Sequence, residues 1–118
     1  MHGVGLDLLD IARLERALQR HPRLAERLFS DGELAYARAH ARPGQHLAAR
    51  FCAKEAVTKA LGLEFLRPLE IEVVRDASGQ PSVELGGAAA ARAQELGTTV
   101  VITLTHTADT AGAVAVAA

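Results

Sequence analysis

Two charged side chains four residues apart, Glu55 and Lys59, stand in the mostly apolar stretch RFCAKEAVTKALG at residues 50–62. Residues four apart are neighbours on a helix, so one interpretation is a surface ion pair worth roughly 0.3–0.5 kcal/mol. The other interpretation is a site for a charged ligand. Phe51 favours the site, because it falls on the same side of the helix as Glu55, and a large aromatic there indicates that protein or ligand covers this side.

Two further residues, near the ends of the chain, could join such a site. Asp7 lies in the alternating stretch GVGLDL, on the face of a predicted first strand opposite Val4 and Leu6. His106 follows the β-branched run VVITL, which predicts a strand. Each also has an ordinary structural interpretation, since a lone acid commonly caps a helix or forms a turn, and a lone histidine is more often structural than catalytic.

Taken together, Asp7, Glu55, Lys59 and His106 would provide two carboxylates and two cationic or proton-carrying groups. Two carboxylates with open water positions suit Mg²⁺, which proteins usually hold with one or two acids plus substrate phosphates. Lys59, one helical turn beyond Glu55, could reach those phosphates. The set indicates phosphoryl transfer without a phosphate-binding glycine loop, because neither GxxxxGK[ST] nor GxGxxG occurs in the chain.

The elements that must position these residues follow an α+β pattern, with helices mainly in the first half and an antiparallel sheet mostly in the second. After the first strand, Asp10 can cap a helix, and Ser30 with Glu33 resembles a capping box for a helix running to about His40. The next helix is predicted from about Gln45 to Leu61, with the glycine that follows as its terminator.

The second half of the chain predicts mainly strands. LEIEVVRDASGQPSVEL alternates and contains a turn, so it predicts a hairpin, and GGAAAARAQELG predicts a short helix ending at Gly97. TVVITLTHT predicts a strand, and AGAVAVAA predicts a returning strand with small residues on one face. We expect helices packed on an antiparallel sheet.

Composition bounds the class of protein. With 118 residues, 49% hydrophobic and 23% charged, the chain is typical of one soluble globular domain over residues 1–118. A net charge of −1 argues against nucleic acid as a partner. Membrane-span and signal-peptide patterns are not found, and the single cysteine, Cys52, excludes an internal disulfide, so we expect a cytoplasmic protein. With 3% aromatics the core must be alanine-rich, and oligomerisation would add buried surface.

A stripe of arginines runs along the first predicted helix. Arg13, Arg16 and Arg20 follow at spacings of three and four, and Arg23 extends the stripe beyond Pro22. The stripe is either a solvated basic face or a dock for an acidic partner. A local concentration of arginines in a chain with no overall positive excess favours the dock.

The chain resembles the holo-acyl-carrier-protein synthases, the small bacterial 4′-phosphopantetheinyl transferases, in four consecutive blocks: GVGLDLLDIARLE, RFCAKEAVTKALG, LEIEVVRDASGQP and ITLTHTADTAGAVAV. The resemblance covers nearly the whole chain. It implies the α+β fold of that family and transfer of the phosphopantetheine arm of coenzyme A to a serine of apo acyl carrier protein. Mg²⁺ would be required and adenosine 3′,5′-bisphosphate released. It also implies a homotrimer with active sites between subunits.

The same resemblance assigns roles to residues of this sequence. Asp7 and Glu55 would hold the metal, and Lys59 would bind the pyrophosphate of coenzyme A. Glu55 or a water on the metal would take the serine proton. Arg50 and His106 would contact coenzyme A. Coenzyme A would approach the backbone closely at Gly62. The carrier protein would dock on three arginines, Arg13, Arg20 and Arg23.

The chain departs from the family pattern in three places. The link LEFLRP, residues 63–68, is shorter than usual, Thr103 replaces a usual serine, and Thr110 replaces a usual aromatic. The short link would alter how the nucleotide loop closes. Two other classes of function stay open. One is a coenzyme A- or nucleotide-binding module without catalysis, which would not need Asp7. The other is an interaction domain without a ligand, which the alanine-rich faces would suit.

Overall fold

The computed structural model of the chain describes residues 2–118. Within these described residues, five strands and five helices follow one another, with a single 3₁₀ turn before the second strand. In chain order they are β1 (Gly3–Asp10), α1 (Ile11–Arg20), α2 (Leu24–Leu28), α3 (Asp31–Arg38), α4 (Pro43–Ala60), the 3₁₀ turn (Pro68–Glu70), β2 (Ile71–Arg75), β3 (Pro81–Leu85), α5 (Gly87–Leu96), β4 (Val100–His106) and β5 (Thr110–Ala117).

The strands form two antiparallel sheets. The larger has the order β1-β5-β4, and the smaller is the β2-β3 hairpin. In the larger sheet Asp7 lies opposite Ala113 of β5, and Ala113 lies opposite Leu104 of β4. Helices packed on antiparallel sheets confirm the predicted α+β class.

Small residues let α4 lie directly on the larger sheet. The sheet face under α4 carries two glycines of β1, and a Cβ at Gly5 would overlap the carbonyl oxygen of Ala56, as one at Gly3 would overlap that of Ala60. Alternate residues of β5 on this face are all buried alanines: Ala111, Ala113, Ala115 and Ala117. Because both surfaces lack bulky side chains, the helix and strand backbones approach closely, which fixes α4 relative to β1.

The opposite face of the larger sheet is apolar and exposed. Val4, Leu6 and Leu8 of β1 have relative exposures of 57%, 59% and 66%, and Val101 of β4 has 58%. The alternation in β1 therefore reflects a sheet whose small residues face the core helix and whose large residues face outward. The small-residue face predicted for β5 is the buried one.

The predicted helix boundaries are close to those observed. Asp10 Oδ1 accepts a hydrogen bond from the Ala12 amide at 3.1 Å, and Ser30 and Glu33 form the predicted capping box. The third helix ends at Arg38, two residues before the predicted end. The fourth begins at Pro43 instead of Gln45, because proline suits the first turn of a helix, where its missing amide has no partner to lose.

The end of α4 is a tight cap. Gly62 has φ 66°, its amide donates to the Lys59 carbonyl at 3.1 Å, and the Leu63 amide donates to the Thr58 carbonyl at 3.0 Å. This pair of bonds is the Schellman arrangement, which needs a left-handed residue that glycine adopts without strain. Gly62 is therefore the predicted terminator, and it turns the chain into the link at residues 63–68.

A buried ion pair joins α3, α4 and the hairpin. Lys54 Nζ donates to Glu33 Oε1 at 2.8 Å and to the carbonyl oxygens of Pro68 and Ile71 at 2.7 and 2.6 Å. The Val73 amide donates to the other Glu33 oxygen at 2.8 Å. Both charged side chains have 0% exposure, and burial lowers the pKa of Lys54. This network holds the chain where it leaves the link and enters β2.

Across residues 2–118, none of the helices combines the length and the apolar character that crossing a membrane requires.

Candidate active site

Lys59 and Asp7 meet at the edge of the larger sheet. Lys59 Nζ lies 3.3 Å from Asp7 Oδ1 and donates to the Leu6 carbonyl oxygen at 2.9 Å. The side chain therefore runs from α4 to β1. The ion pair of Lys59 is with Asp7 and not with Glu55 on its own helix, so the interpretation as an i, i+4 surface pair is wrong.

Asp7 and Glu55 line one cavity between β1, α1 and α4. Phe51, one turn before Glu55, forms part of the wall and is half-buried, which agrees with the expectation that this side of α4 is covered. Arg13 of α1 lines the same cavity. We call Asp7, Glu55 and Lys59 the carboxylate half-site.

The electrostatics of this half-site suit a small divalent cation. Burial raises the pKa of Glu55, the negative charge of Asp7 raises it further, and Lys59 opposes both effects. Asp7 and Glu55 together with Lys59 therefore leave a net negative charge, which a bound cation would offset. Within residues 2–118 no cluster of three or more histidine, cysteine or acidic side chains could hold a metal. Oxygen ligands from two acids, completed by water or phosphate, fit Mg²⁺.

Arg50 and His106 lie on the opposite flank of α4. Arg50 is five residues before Glu55, which turns the two side chains about 140° apart around the helix. His106 closes β4, which is separated from β1 by β5, so it lies two strand spacings, or roughly 10 Å, from β1. These two residues share a second cavity with His46 and Arg75. We call His46, Arg50, Arg75 and His106 the cationic half-site.

Arg50 is the most deeply buried member of the cationic half-site. It has 2% exposure, and its guanidinium carbon lies 4.0 Å from the centre of the Tyr36 ring. One terminal nitrogen donates to the His46 carbonyl oxygen at 3.5 Å, while the buried Nε has no partner. Burial lowers the pKa of Arg50. A buried donor without an acceptor is uncommon in native proteins and is a position where a ligand can supply one.

Sequence reasoning missed His46 and Arg75. The spacing of four between His46 and Arg50 places them on one face of α4 and was the available signal. No local pattern could have found Arg75, because it reaches the same cavity from β2.

Gly62 lies beside a further apolar cavity. The link after it lines this cavity together with the start of α5, and Phe65 in the link is 68% exposed. Arg92 of α5 donates from Nε to the Leu61 carbonyl oxygen at 3.0 Å, which ties α5 to the end of α4. Gly62 lies one helical turn beyond Lys59. The predicted close approach of coenzyme A to the Gly62 backbone would therefore take place beside the carboxylate half-site.

The predicted docking arginines are spread from the carboxylate half-site outward. Arg13 is exposed at the cavity itself, Arg20 is exposed in the last turn of α1, and Arg23 is exposed in the turn before α2. Glu15, the acid within this stretch, is paired with Arg42 through an N–O distance of 2.9 Å. The acid is therefore neutralised, and the arginines dominate the charge of this surface.

Comparisons with known proteins identify the family of the chain. The model of the 4′-phosphopantetheinyl transferase superfamily matches residues 3–114. The chain is 47% identical over 114 residues to the holo-[acyl-carrier-protein] synthase of Moorella thermoacetica, and the alignment covers 94% of this chain and 89% of that protein. The chain belongs to the 4′-phosphopantetheinyl transferase superfamily, among its holo-[acyl-carrier-protein] synthases, which confirms the resemblance.

Solved structures give the same relationship in three dimensions. The holo-[acyl-carrier-protein] synthase from Neisseria meningitidis matches with a TM-score of 0.88 and 29% identity, covering 100% of this chain and 98% of that chain. The holo-[acyl-carrier-protein] synthase of Helicobacter pylori in complex with coenzyme A matches with a TM-score of 0.83 and 25% identity, covering 98% and 99%. The phosphopantetheinyl transferase-like fold is therefore confirmed.

Proposed function

We propose that this chain transfers the 4′-phosphopantetheine arm of coenzyme A to a serine hydroxyl of apo acyl carrier protein and releases adenosine 3′,5′-bisphosphate. The observation that carries the proposal is that Asp7 of β1 and Glu55 of α4 line one cavity while Lys59 of α4 forms an ion pair with Asp7. The coenzyme A complex of the Helicobacter pylori relative supports coenzyme A as the substrate.

The reaction needs an activated hydroxyl and a stabilised leaving group. The serine oxygen forms a bond to the phosphorus that carries the pantetheine arm, and the bond from that phosphorus to the bisphosphate breaks. Glu55, or a water beside it, accepts the serine proton. Lys59 stabilises the charge that develops on the phosphates. Asp7 and Glu55 would hold Mg²⁺, which would supply further charge stabilisation.

Coenzyme A is proposed to bind between subunits. Arg50 and His106 lie on the flank of α4 opposite Glu55, so one chain does not present both half-sites to the same face of a small ligand. A second copy that brings its cationic half-site to the carboxylate half-site of the first would complete the site. Gly62, at the end of α4, would allow the phosphates to approach the backbone.

The proposed assembly is a homotrimer in which the exposed sheet face is buried. The exposed sheet face is an apolar surface formed by Val4, Leu6, Leu8 and Val101. Because the core of a single chain is rich in alanine, burying this surface between subunits would stabilise the assembly. The number three follows the resemblance. Residues 1–118 would act as one domain in the cytoplasm, with the acidic carrier protein docked on Arg13, Arg20 and Arg23.

Intact-mass spectrometry tests the proposed activity. The protein would be incubated with coenzyme A, Mg²⁺ and apo acyl carrier protein, and the carrier is expected to gain the phosphopantetheine mass on its serine. Omission of coenzyme A and addition of a chelator serve as controls. Coenzyme A binding without transfer would support a non-catalytic binding module, and neither binding nor transfer would support an interaction domain; either result would overturn the proposal.

A further inference from the structure

Tyr36 of α3 is surrounded by cationic and proton-binding side chains. The guanidinium carbons of Arg50 and Arg75 lie 4.0 and 4.7 Å from the centre of its ring, and Arg75 also donates to its hydroxyl oxygen. The centre of the His40 ring lies 4.6 Å from that of the Tyr36 ring in a tilted arrangement, and the His46 ring meets the Tyr36 ring edge-on at 5.7 Å. The cluster extends the cationic half-site toward α3.

Three imidazoles continue this cluster toward β4. The ring centre of His46 lies 4.1 Å from that of His40 and 6.0 Å from that of His106. His46 is the middle ring, so it experiences the charges of all its neighbours. Its proximity to two other histidines at the wall of a cavity makes it sensitive to any charged ligand that enters.

The charges that act on His46 are all positive. They belong to His40 just after α3, Arg50 of α4, Arg75 of β2 and His106 of β4. None of the described residues that line this cavity is acidic. Of the acids near the cluster, Glu33 is paired with Lys54, and Glu72, which accepts from the Ser30 hydroxyl at 2.5 Å, lines the neighbouring cavity.

The buried Nε of Arg50 gives independent evidence for an anionic ligand. Arg50 has 2% exposure and lines the same cavity as His46, and its Nε has no acceptor. A guanidinium binds phosphate oxygens in a planar, charge-assisted geometry. A phosphate group in the cavity would satisfy this donor and balance the surrounding charge.

We propose that His46 is a further specificity-determining residue, which takes up a proton when a dianionic phosphomonoester enters the cationic half-site and thereby favours that group over less charged ones. The inference rests on the proposed function, which assigns Arg50 and His106 to coenzyme A. The product named there, adenosine 3′,5′-bisphosphate, carries a phosphomonoester on its ribose, so coenzyme A offers the required chemistry.

The direction of the pH dependence follows from the geometry. In the free protein, burial lowers the pKa of His46, and the charges of His40 and Arg50 lower it further. A bound dianion would offset those charges and favour the imidazolium form. Binding then takes up a proton at pH values between the free and bound pKa of His46. Affinity is expected to rise as pH falls through this window and to level off on both sides of it.

Sulfate is the suitable probe, because it stays doubly charged across the histidine range whereas a phosphomonoester itself titrates near pH 6. We expect calorimetric titration of the whole protein with sodium sulfate at constant ionic strength to show an affinity gain as pH falls from 8 to 6, with a slope of at most about tenfold per pH unit, the limit for one added proton. Ring-proton NMR is expected to show a higher pKa for His46 with sulfate than without it.

Two variants make the test specific. His46→Gln keeps a polar side chain but cannot titrate, so it should bind sulfate with a flatter pH dependence. His2→Gln removes an exposed histidine from the first residues of the described chain and should retain the wild-type slope. The proposal is overturned if His46→Gln keeps the full slope, or if sulfate leaves the pKa of His46 unchanged.

The outcome is separable from that of the proposed function. Transfer to the carrier protein with no response of His46 to sulfate would remove only this inference. A sulfate-linked His46 in a protein that transfers nothing would remove only the proposed reaction. Coenzyme A and dephospho-coenzyme A, titrated at about pH 7 and pH 8, where the phosphomonoester stays mostly dianionic, extend the test to the substrate, and only coenzyme A should gain affinity at the lower pH.

Discussion

Lys59 reaches Asp7 on the neighbouring strand and leaves Glu55, one turn earlier on its own helix, without that cation. The Lys59 Nζ to Asp7 Oδ1 distance is 3.3 Å, and the same ammonium group donates to the Leu6 carbonyl oxygen. The lysine thus connects α4 to β1 at the cavity. Burial and the charge of Asp7 raise the pKa of Glu55, and Lys59 opposes this rise without forming an ion pair with Glu55.

Removing either acid of the carboxylate half-site should abolish transfer. Asp7→Asn and Glu55→Gln each take away half of the protein charge offered to Mg²⁺, a cation that prefers anionic oxygens. We expect turnover to fall by at least about a hundredfold, with thermal unfolding little changed. Glu84→Gln, at an exposed acid of β3, is the matched control. Turnover like that of the wild type in either half-site variant would contradict the shared-metal proposal.

Two inactive variants should restore activity when they are combined. If each site joins the carboxylate half-site of one subunit to the cationic half-site of another, co-expressed Glu55→Gln and His106→Ala chains would form mixed trimers. In each mixed trimer, about one site of the three would then carry both intact halves. The measurement is transfer per trimer after purification with two different tags, with sedimentation equilibrium to verify three chains. No recovery, or a monomer mass, would count against active sites between subunits.

The arginine stripe should control association with the carrier protein. Arg20→Glu places a negative charge where an acidic partner would dock, so KM for carrier protein should rise far more than KM for coenzyme A. The difference should shrink at high salt, where the attraction in the wild type is also screened. Arg38→Glu, at an exposed arginine of α3, is the control with the same charge change. An unchanged KM for carrier protein at low salt would move the dock elsewhere.

Lys54 should matter for stability more than any exposed lysine. Lys54→Met would leave the fully buried Glu33 without its cation, and we expect a loss of about 3–5 kcal/mol in the free energy of unfolding. Lys59→Met removes an ion pair whose lysine side chain is 52% exposed, so its effect should stay below about 1 kcal/mol. Urea titration measures both. Equal effects would show that the buried network does not hold the hairpin.

Cys52 should make the protein less stable in alkali. Burial raises the pKa of its thiol to about 12, while an unfolded cysteine ionises near 8.5. The unfolded state therefore releases the proton first, and stability falls as pH rises above that value, by about 2 kcal/mol at pH 10. The measurement is the difference in unfolding free energy between wild type and Cys52→Ala at pH 8 and pH 10. A difference that stays constant would contradict this account.

The sequence predicted structure and site residues best where all the residues involved belong to one helix or strand. Glu55 and Lys59 lie four apart on one helix, and Ser30 with Glu33 forms a local capping box, so spacing alone was enough. The charged residues on α4 were harder to interpret, because Lys54 and Arg50 are both buried and the partner of Lys54 comes from α3, 21 residues away.

The missed parts of the site depend on long-range packing. Arg75 approaches Arg50 from the hairpin, and neither its own strand pattern nor its neighbours indicate that contact. The separation of the two half-sites was also hidden, because it depends on β5 lying between β1 and β4, which follows from strand order rather than from any motif. The resemblance implies active sites between subunits, and the strand order supports that proposal.

The seam between α4 and β1 limits how this protein can evolve. Amino-acid replacement usually explores a buried position by gaining or losing a methyl group. At Gly5 a gain collides with the Ala56 carbonyl, and at Ala56 the only smaller residue is glycine, which weakens a helix by about 1 kcal/mol. Single substitutions to a larger or to a smaller residue are therefore both unfavourable at this contact. Lineages of this fold can therefore vary their outward sheet face and loops far more freely than the contact that aligns Asp7 with Glu55.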